Sequence, residues 1–335
     1  MKKVLVIGAS GAMGQYLVPI LAGMGCEVTG VALEAVESSR PNVRYIQARL
    51  NNWNDYREIL SEGYDGVVDF MIYPTSRLVE MLPALVNSTG HYIYVSSCRI
   101  YDNREVPIRE ESPLLIDTSD DQILRNSDDY CIYKARGERI LNALPNRNWT
   151  AVRPSTTYSY LRYQLVTLEA ADTVGRARAG KMVAVPETAR HIPATLCWGG
   201  DAARLIAGLL FNESAFGDAY TVSTSESHTW EEIAEYYKDL CNLNAVWIDQ
   251  EDYQRIKGGD SYSLNVRWQL EYARLFTRIY DNSKVLAATG SKQSEMMPLY
   301  DGLKREIERS PLDYQWPVNT RMDDYFARLK AGRIG

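Results

Sequence analysis

The sequence predicts an α/β protein built on a doubly wound parallel sheet, with a smaller α/β region towards its C-terminus. Three observations carry this reading. The opening stretch "VIGASGAMGQYLVPIL" joins an apolar β-rich run to an apolar run of helical spacing through three evenly placed glycines. Strand-like and helix-like segments then alternate through the first half of the chain, the pattern of parallel strands crossed by helices. Tyr92 to Val95 reads as a strand buried on both faces.

Taken in order, residues 3–7 form the first strand, and Gly8, Gly11 and Gly14 punctuate it before the helical run "QYLVPILAGMG". "CEVTGVAL" (residues 26–33) and "VRYIQARL" (43–50) read as the second and third strands. "WNDYREILSEG" is a capped helix ending at glycine. The alternation continues through "YDGVVDFMIY", a helix over residues 76–87 with Pro83 as a kink, and "HYIYVSS".

Composition fits an enzyme-sized globular chain: 335 residues, 45% hydrophobic and 24% charged, with material for two domains. Met1-Lys2-Lys3 before apolar residues imitates a secretory signal, but Gly8, Ser10, Gly11, Gly14 and Gln15 interrupt the apolar region. No other stretch reaches the roughly 18 apolar residues of a membrane helix. The chain is therefore expected to be soluble and unprocessed. Five scattered cysteines without a CxxC pair suggest neither a disulfide framework nor a thiolate metal site, which favours a reducing, cytoplasmic setting. His91, His191 and His228 have no ligand spacing, so no metal is expected. The net charge of −6 argues against a nucleic-acid surface.

At the first strand-to-helix turn, Gly8, Gly11 and Gly14 make GxxGxxG. Glycine there permits a tight turn, close approach of a pyrophosphate and close helix packing. The free N–H groups and dipole of the helix N-terminus favour negative charge. The segment from Gly8 through Ser10, Gly11, Ala12 and Met13 to Gly14 is thus the expected phosphate cradle.

Two further signals lie downstream. "VSSCRIYD" ends a strand with Ser96 and Ser97, and "YCIYK" places Tyr130 and Lys134 one helical turn apart, at the start of a helix running to about residue 144. Together with "ESP" (111–113), Glu138 and "VRPSTTY" (152–158), this resembles the extended branch of the short-chain dehydrogenase/reductase superfamily, the NAD-dependent epimerase/dehydratase family. The resemblance covers most of the chain, since "GGDAARLIAGLL", "GDAYTVSTSESHTWEEIAEYY" and "YDNSKVLAATG" are similar to later segments of that branch. It implies a Rossmann-type NAD(P)-binding domain over residues 1–155, with 197–222 returning to it. Residues 156–196 and 223–335 would form the substrate-binding region.

The chemistry that the resemblance implies meets a physical need. A hydroxyl cannot lose hydride until a base takes its proton, and free tyrosine, titrating near ~10, is a poor base at neutral pH. A lysine cation and the positive nicotinamide ring favour the phenolate. Tyr130 is the implied acid/base, and Lys134 its cation and ribose ligand. The motif count back from Tyr101 selects Ser97 to hold the reacting oxygen, with Ser96 in reserve. Tyr133 competes with Tyr130 for the inward-facing position.

Glu34, twenty residues after Gly14, is the implied ribose contact, and with no arginine directly after the strand NAD is favoured while NADP stays open. Where relatives carry an acidic adenine contact, "ARLNNW" offers Arg49, Asn51 and Asn52. "DFMIYP" replaces the small-residue loop of the commoner epimerases, and "YSY", beginning at Tyr158, stands where many relatives have YGP. Cys98 and Arg99 occupy the place of the acidic pair that 4,6-dehydratases need for elimination. Epimerisation or oxidoreduction of a sugar carbon, with a nucleotide sugar as substrate, is therefore expected over dehydration. Arg190, with Arg178 as the alternative, is the implied pyrophosphate contact, and Tyr158 and Ser96 are further substrate candidates. Relatives commonly pair as homodimers through the YxxxK helix and the helix before the serine strand. The different-class alternative, a catalytically quiet NAD(P)-bound or RNA-associated scaffold, would be marked by a lost YxxxK or a basic face.

Overall fold

The computed structural model describes residues 1–50, 52–259 and 264–332. Its centre is a seven-stranded sheet: β1 (Lys3–Ile7), β2 (Glu27–Ala32), β3 (Val43–Gln47), β4 (Tyr64–Asp69), β5 (Thr89–Val95), β6 (Trp149–Pro154) and β7 (Asp218–Val222). The spatial order is β7-β6-β5-β4-β1-β2-β3, with parallel neighbours throughout. This is the doubly wound Rossmann order, and it reverses between β1 and β4; in such sheets ligands bind at this switch point, outside the carboxyl ends of the strands.

Side-chain alternation in β1 shows why both faces are covered. Val4 and Val6 join a core with Leu17, Val18 and Leu21 of α1 (Gly14–Gly23) and with Ala202, Leu205 and Ile206 of α5 (Gly199–Leu209). Leu5 and Ile7 point the other way, into a core with α2 (Trp53–Leu60), α3 (Thr75–Asn87) and α4 (Tyr130–Ala143). α3 runs through Pro83 and buries Leu78, Met81, Leu82, Leu85 and Val86. α2 starts at a capping box: the Asn52 side chain accepts from the Asn54 and Asp55 amides at 2.9 and 3.3 Å, and Asp55 accepts from the Asn52 amide. Asn52 is thus committed to the helix, and Asn51 lies outside the described residues. The third strand ends at Gln47, short of the expected residue 50.

His91 is fully buried between β6 and the turn after α5. Its Nδ1 accepts from the Phe211 amide at 2.9 Å, so Nε2 carries the proton and donates to Thr150 Oγ1, also at 2.9 Å. Burial pulls its pKa down to about 4.

The chain divides into two compact units, Met1–Thr157 with Leu196–Ser225 and Tyr280–Met297, and Tyr158–Thr195 with Glu226–Ile279 and Pro298–Gly335. The sequence placed all of 223–335 in the substrate region, but Tyr280–Met297 folds with the first unit. There α6 (Ser283–Thr289) buries Val285 in the α1/α5 core, and the Asn282 amide group donates to the Ser223 carbonyl at 3.0 Å. The second unit pairs strand Val183–Pro186 with Ala245–Ile248 in parallel and carries the helices Trp230–Cys241, Gln250–Gly258, Leu299–Arg309 and Thr320–Lys330. Among the described residues no helix is long and apolar enough to cross a membrane.

Candidate active site

The glycine turn is built for close approach. Gly8 leaves β1 with φ +83°, and its amide and that of Ala9 donate to the Val31 carbonyl of β2 at 3.0 and 2.9 Å. A Cβ on Gly14 would stand 2.8 Å from the Ala9 backbone, so only glycine lets α1 start this close to the strand. Gly11 is exposed at the rim, and Ser10, Ala12 and Met13 are half-buried beside it. No side chain caps α1 and no acid lies in its first turn. Among the described residues nothing accepts from the Ala12 and Met13 amides. A helix N-terminus in this state favours an anion, so the turn fits a dinucleotide pyrophosphate. Glu34 is exposed two residues beyond the end of β2, on the same edge of the sheet.

Tyr130 and Lys134 begin α4, which Asp129 caps by accepting from the Cys131 amide at 3.1 Å. The Lys134 ammonium lies 5.7 Å from the Tyr130 ring centroid, while the Arg99 guanidinium lies at the same distance from that ring. Arg99 is held by an ion pair with Asp129 at 3.0 Å. Tyr130 is half-buried, whereas Tyr133 is 7% exposed and meets Tyr130 edge-on at 5.4 Å. Tyr130 is therefore the more accessible of the two phenols. Ser97 is half-buried and heads the turn Cys98–Ile100, its Oγ accepting from the Arg99 amide at 3.1 Å. Ser96 is buried, and its Oγ has no hydrogen-bond partner among the described residues. Arg99 thus links Ser97, at the end of β5, to Tyr130, at the start of α4, where Lys134 faces the same ring.

Lys134 is 2% exposed and donates to the Val95 carbonyl at 2.7 Å and the Met71 carbonyl at 3.3 Å. Burial lowers its pKa to about 8, against the raising effect of the Asp69 and Glu138 carboxylates. Glu138 is already engaged by Arg153 at 2.6 Å. Asp69, the last residue of β4, is fully buried and accepts from Tyr73 Oη at 2.7 Å, Tyr92 Oη at 3.0 Å and the Met71 amide at 2.9 Å. Burial pushes its carboxyl above the ordinary range. The sequence reading missed Asp69. Its signal was an acid inside the otherwise apolar "VVDFMIY", seen only as a departure from a family loop. The same loop reaches the glycine turn, since a Cβ on Gly8 would lie 3.1 Å from Phe70 Cβ.

The remaining candidates belong to the second unit. Tyr158 is fully buried. Arg190 is engaged by Glu231 at 2.5 and 2.9 Å and lies 5.6 Å from the Trp247 ring, so an anion reaching it would have to displace Glu231.

The family model for the NAD dependent epimerase/dehydratase family matches residues 4–204. No curated protein sequence matches the chain. Among solved structures, the UDP-glucuronic acid 4-epimerase of Bacillus cereus, in complex with UDP-glucuronic acid and NAD, is 14% identical with a TM-score of 0.67, covering 91% of this chain and 98% of that one. The dTDP-glucose 4,6-dehydratase of Bacillus anthracis, in complex with NAD, is 16% identical with a TM-score of 0.68, at 92% and 96% coverage. The UDP-glucose 4-epimerase of Thermus thermophilus, in complex with NAD, is 17% identical with a TM-score of 0.64, at 91% and 98% coverage. At such identities the likeness is one of fold, but the family match spans the glycine turn, the serine strand end and the Tyr130–Lys134 turn, and the chain belongs to the NAD dependent epimerase/dehydratase family.

Proposed function

We propose that this protein is an NAD-dependent epimerase or oxidoreductase acting on a hydroxyl or keto carbon of a sugar, with a nucleotide sugar as substrate. The observation that carries the reading is the buried Lys134 ammonium 5.7 Å from the Tyr130 ring, at the sheet edge where the glycine turn opens. NAD, when bound, supplies the acceptor and donor of hydrogen at carbon. The amides of the Gly8–Gly14 turn hold its pyrophosphate, Glu34 accepts from a ribose hydroxyl, and Lys134 donates to the other ribose. Tyr130 takes the proton from the substrate hydroxyl and returns it, Lys134 favours the phenolate, and Ser97 donates to the reacting oxygen. Arg99 and Cys98, in place of two acids, leave elimination without its extra acid and base. Tyr158 and Arg190 are proposed as substrate contacts on the family resemblance alone.

A second copy of the chain is proposed to pair through α3 and α4. The inward face of α3 covers the sheet, while Val79 on the same helix is 62% exposed. A single-chain mass by light scattering at micromolar concentration would refute that pairing.

A thermal-shift panel with NAD, NADP, UDP-sugars and dTDP-sugars tests the reading. A rise in Tm with NAD, and a further rise with one sugar nucleotide, is the expected result. No shift with either dinucleotide overturns it.

A further inference from the structure

The loop that departs from the family pattern ends a buried network of charge and phenols beneath Lys134. Lys134 has no carboxylate within ion-pair distance among the described residues; its ammonium donates to two backbone carbonyls instead. One of these belongs to Met71, whose own amide donates to Asp69 Oδ1. The peptide units around Met71 therefore link the carboxylate to the ammonium. Both phenols that reach Asp69, from Tyr73 and Tyr92, meet Oδ2, and Tyr73 is in turn met by Tyr56 of α2 at 2.5 Å. A carboxylate accepts every bond offered here, whereas a neutral acid would turn one acceptor into a donor. Burial opposes ionisation of Asp69, and these bonds together with Lys134 oppose that effect.

We propose that Asp69 is the positioning residue for Lys134: an ionised carboxylate, held by Tyr73 and Tyr92, that serves as the counter-charge of the buried ammonium and fixes the Met71 carbonyl to which it donates. The other groups facing Lys134 are accounted for. On α4 these are Tyr130, Tyr133 and Glu138, and Glu138 is engaged by Arg153 of β6. From β5 comes Tyr94, whose ring centroid lies 5.2 Å from the ammonium, and Arg99 stands over Tyr130. Of the two carboxylates that act on Lys134, Glu138 is paired with Arg153, and Asp69 makes no ion pair among the described residues.

The significance of this pairing rests on the role proposed for Lys134, but its test needs neither substrate nor cofactor. In protein labelled with 13C at lysine Cε, the Lys134 signal, assigned with Lys134→Arg, is titrated by NMR in wild type and in Asp69→Asn. The asparagine keeps the shape and removes the charge. The midpoint is expected to fall by about one pH unit or more, the usual effect of losing an opposite charge. An unchanged midpoint in a folded Asp69→Asn protein overturns the proposal. A second measurement, on the unaltered protein, covers the case in which Asp69→Asn does not fold. The carboxyl carbon of Asp69 in 13C-labelled wild type is expected at an ionised shift at neutral pH, and a protonated shift overturns the proposal. Failure of the catalytic reading would appear instead in the turnover of Tyr130 variants and would leave these midpoints unchanged.

Discussion

The Lys134 ammonium donates a 2.7 Å hydrogen bond to the carbonyl of Val95, the last residue of β5, two residues before Ser97. A buried cation thereby ties the helix that bears Tyr130 to the strand end that bears the serines.

The burial of that ammonium has a measurable signature in pH. The pKa of Lys134 is depressed to about 8 from 10.5, so between those values the unfolded chain binds more protons than the native one and stability rises with pH. Relative to Lys134→Met, wild type should gain on the order of 3 kcal/mol across that window, taking about 1.4 kcal/mol per unit. Urea denaturation of both proteins near pH 7 and near pH 10 checks this, since the buried tyrosines and cysteines away from Lys134 contribute equally to each. Turnover that depends on the charged form should fall as pH rises through about 8.

The glycines separate fold from binding. Gly14→Ala places a methyl group 2.8 Å from the Ala9 backbone and should lower Tm by several degrees. Gly11 is exposed at the rim, and its Cβ would meet only the Gly8 carbonyl oxygen at 3.2 Å. Gly11→Val should therefore stay folded yet lose NAD binding by calorimetry. Unchanged affinity in a folded Gly11→Val protein would place the cofactor elsewhere.

His91 provides an acid-sensitive contact remote from the chemistry. Its pKa is about 4 in the folded chain against 6.5 for the free side chain, so the unfolded chain takes up the extra proton as pH falls between them. Stability should drop by about 3 kcal/mol over that interval, at about 1.4 kcal/mol per unit. His91→Gln should flatten this acid limb in a plot of denaturation midpoint against pH, without altering NAD affinity.

Much of the first unit was legible because its signals are local. Residues 3–7 and Gly8 to Gly14 declare a strand and its turn by period and punctuation, and the four-residue spacing puts Tyr130 and Lys134 on one helical face. Other features depend on contacts between distant segments. In the sequence Asp69 is only the first letter of a loop that departs from the family pattern; its role depends on Tyr73, Tyr92 and Met71, which converge on its oxygens. The return of Tyr280–Met297 to the first unit is set by Val285 and Asn282 meeting partners far away in sequence. Arg190 reads as a free cation until Glu231, forty-one positions on, engages it.

The central claim is that Tyr130 moves the proton while the carbon-bound hydrogen goes to nicotinamide. The most direct test is single-turnover reduction of bound NAD by the nucleotide sugar that the thermal-shift panel selects, followed by nicotinamide absorbance. It is run on wild type, Tyr130→Phe and, as the internal control, Tyr133→Phe. Loss of the Tyr130 hydroxyl should slow the reaction by about 10²–10⁴, while Tyr133→Phe, whose ring packs edge-on against Tyr130, should change it far less. Equal rates in Tyr130→Phe and wild type would contradict the account and favour a scaffold that binds NAD without using this tyrosine.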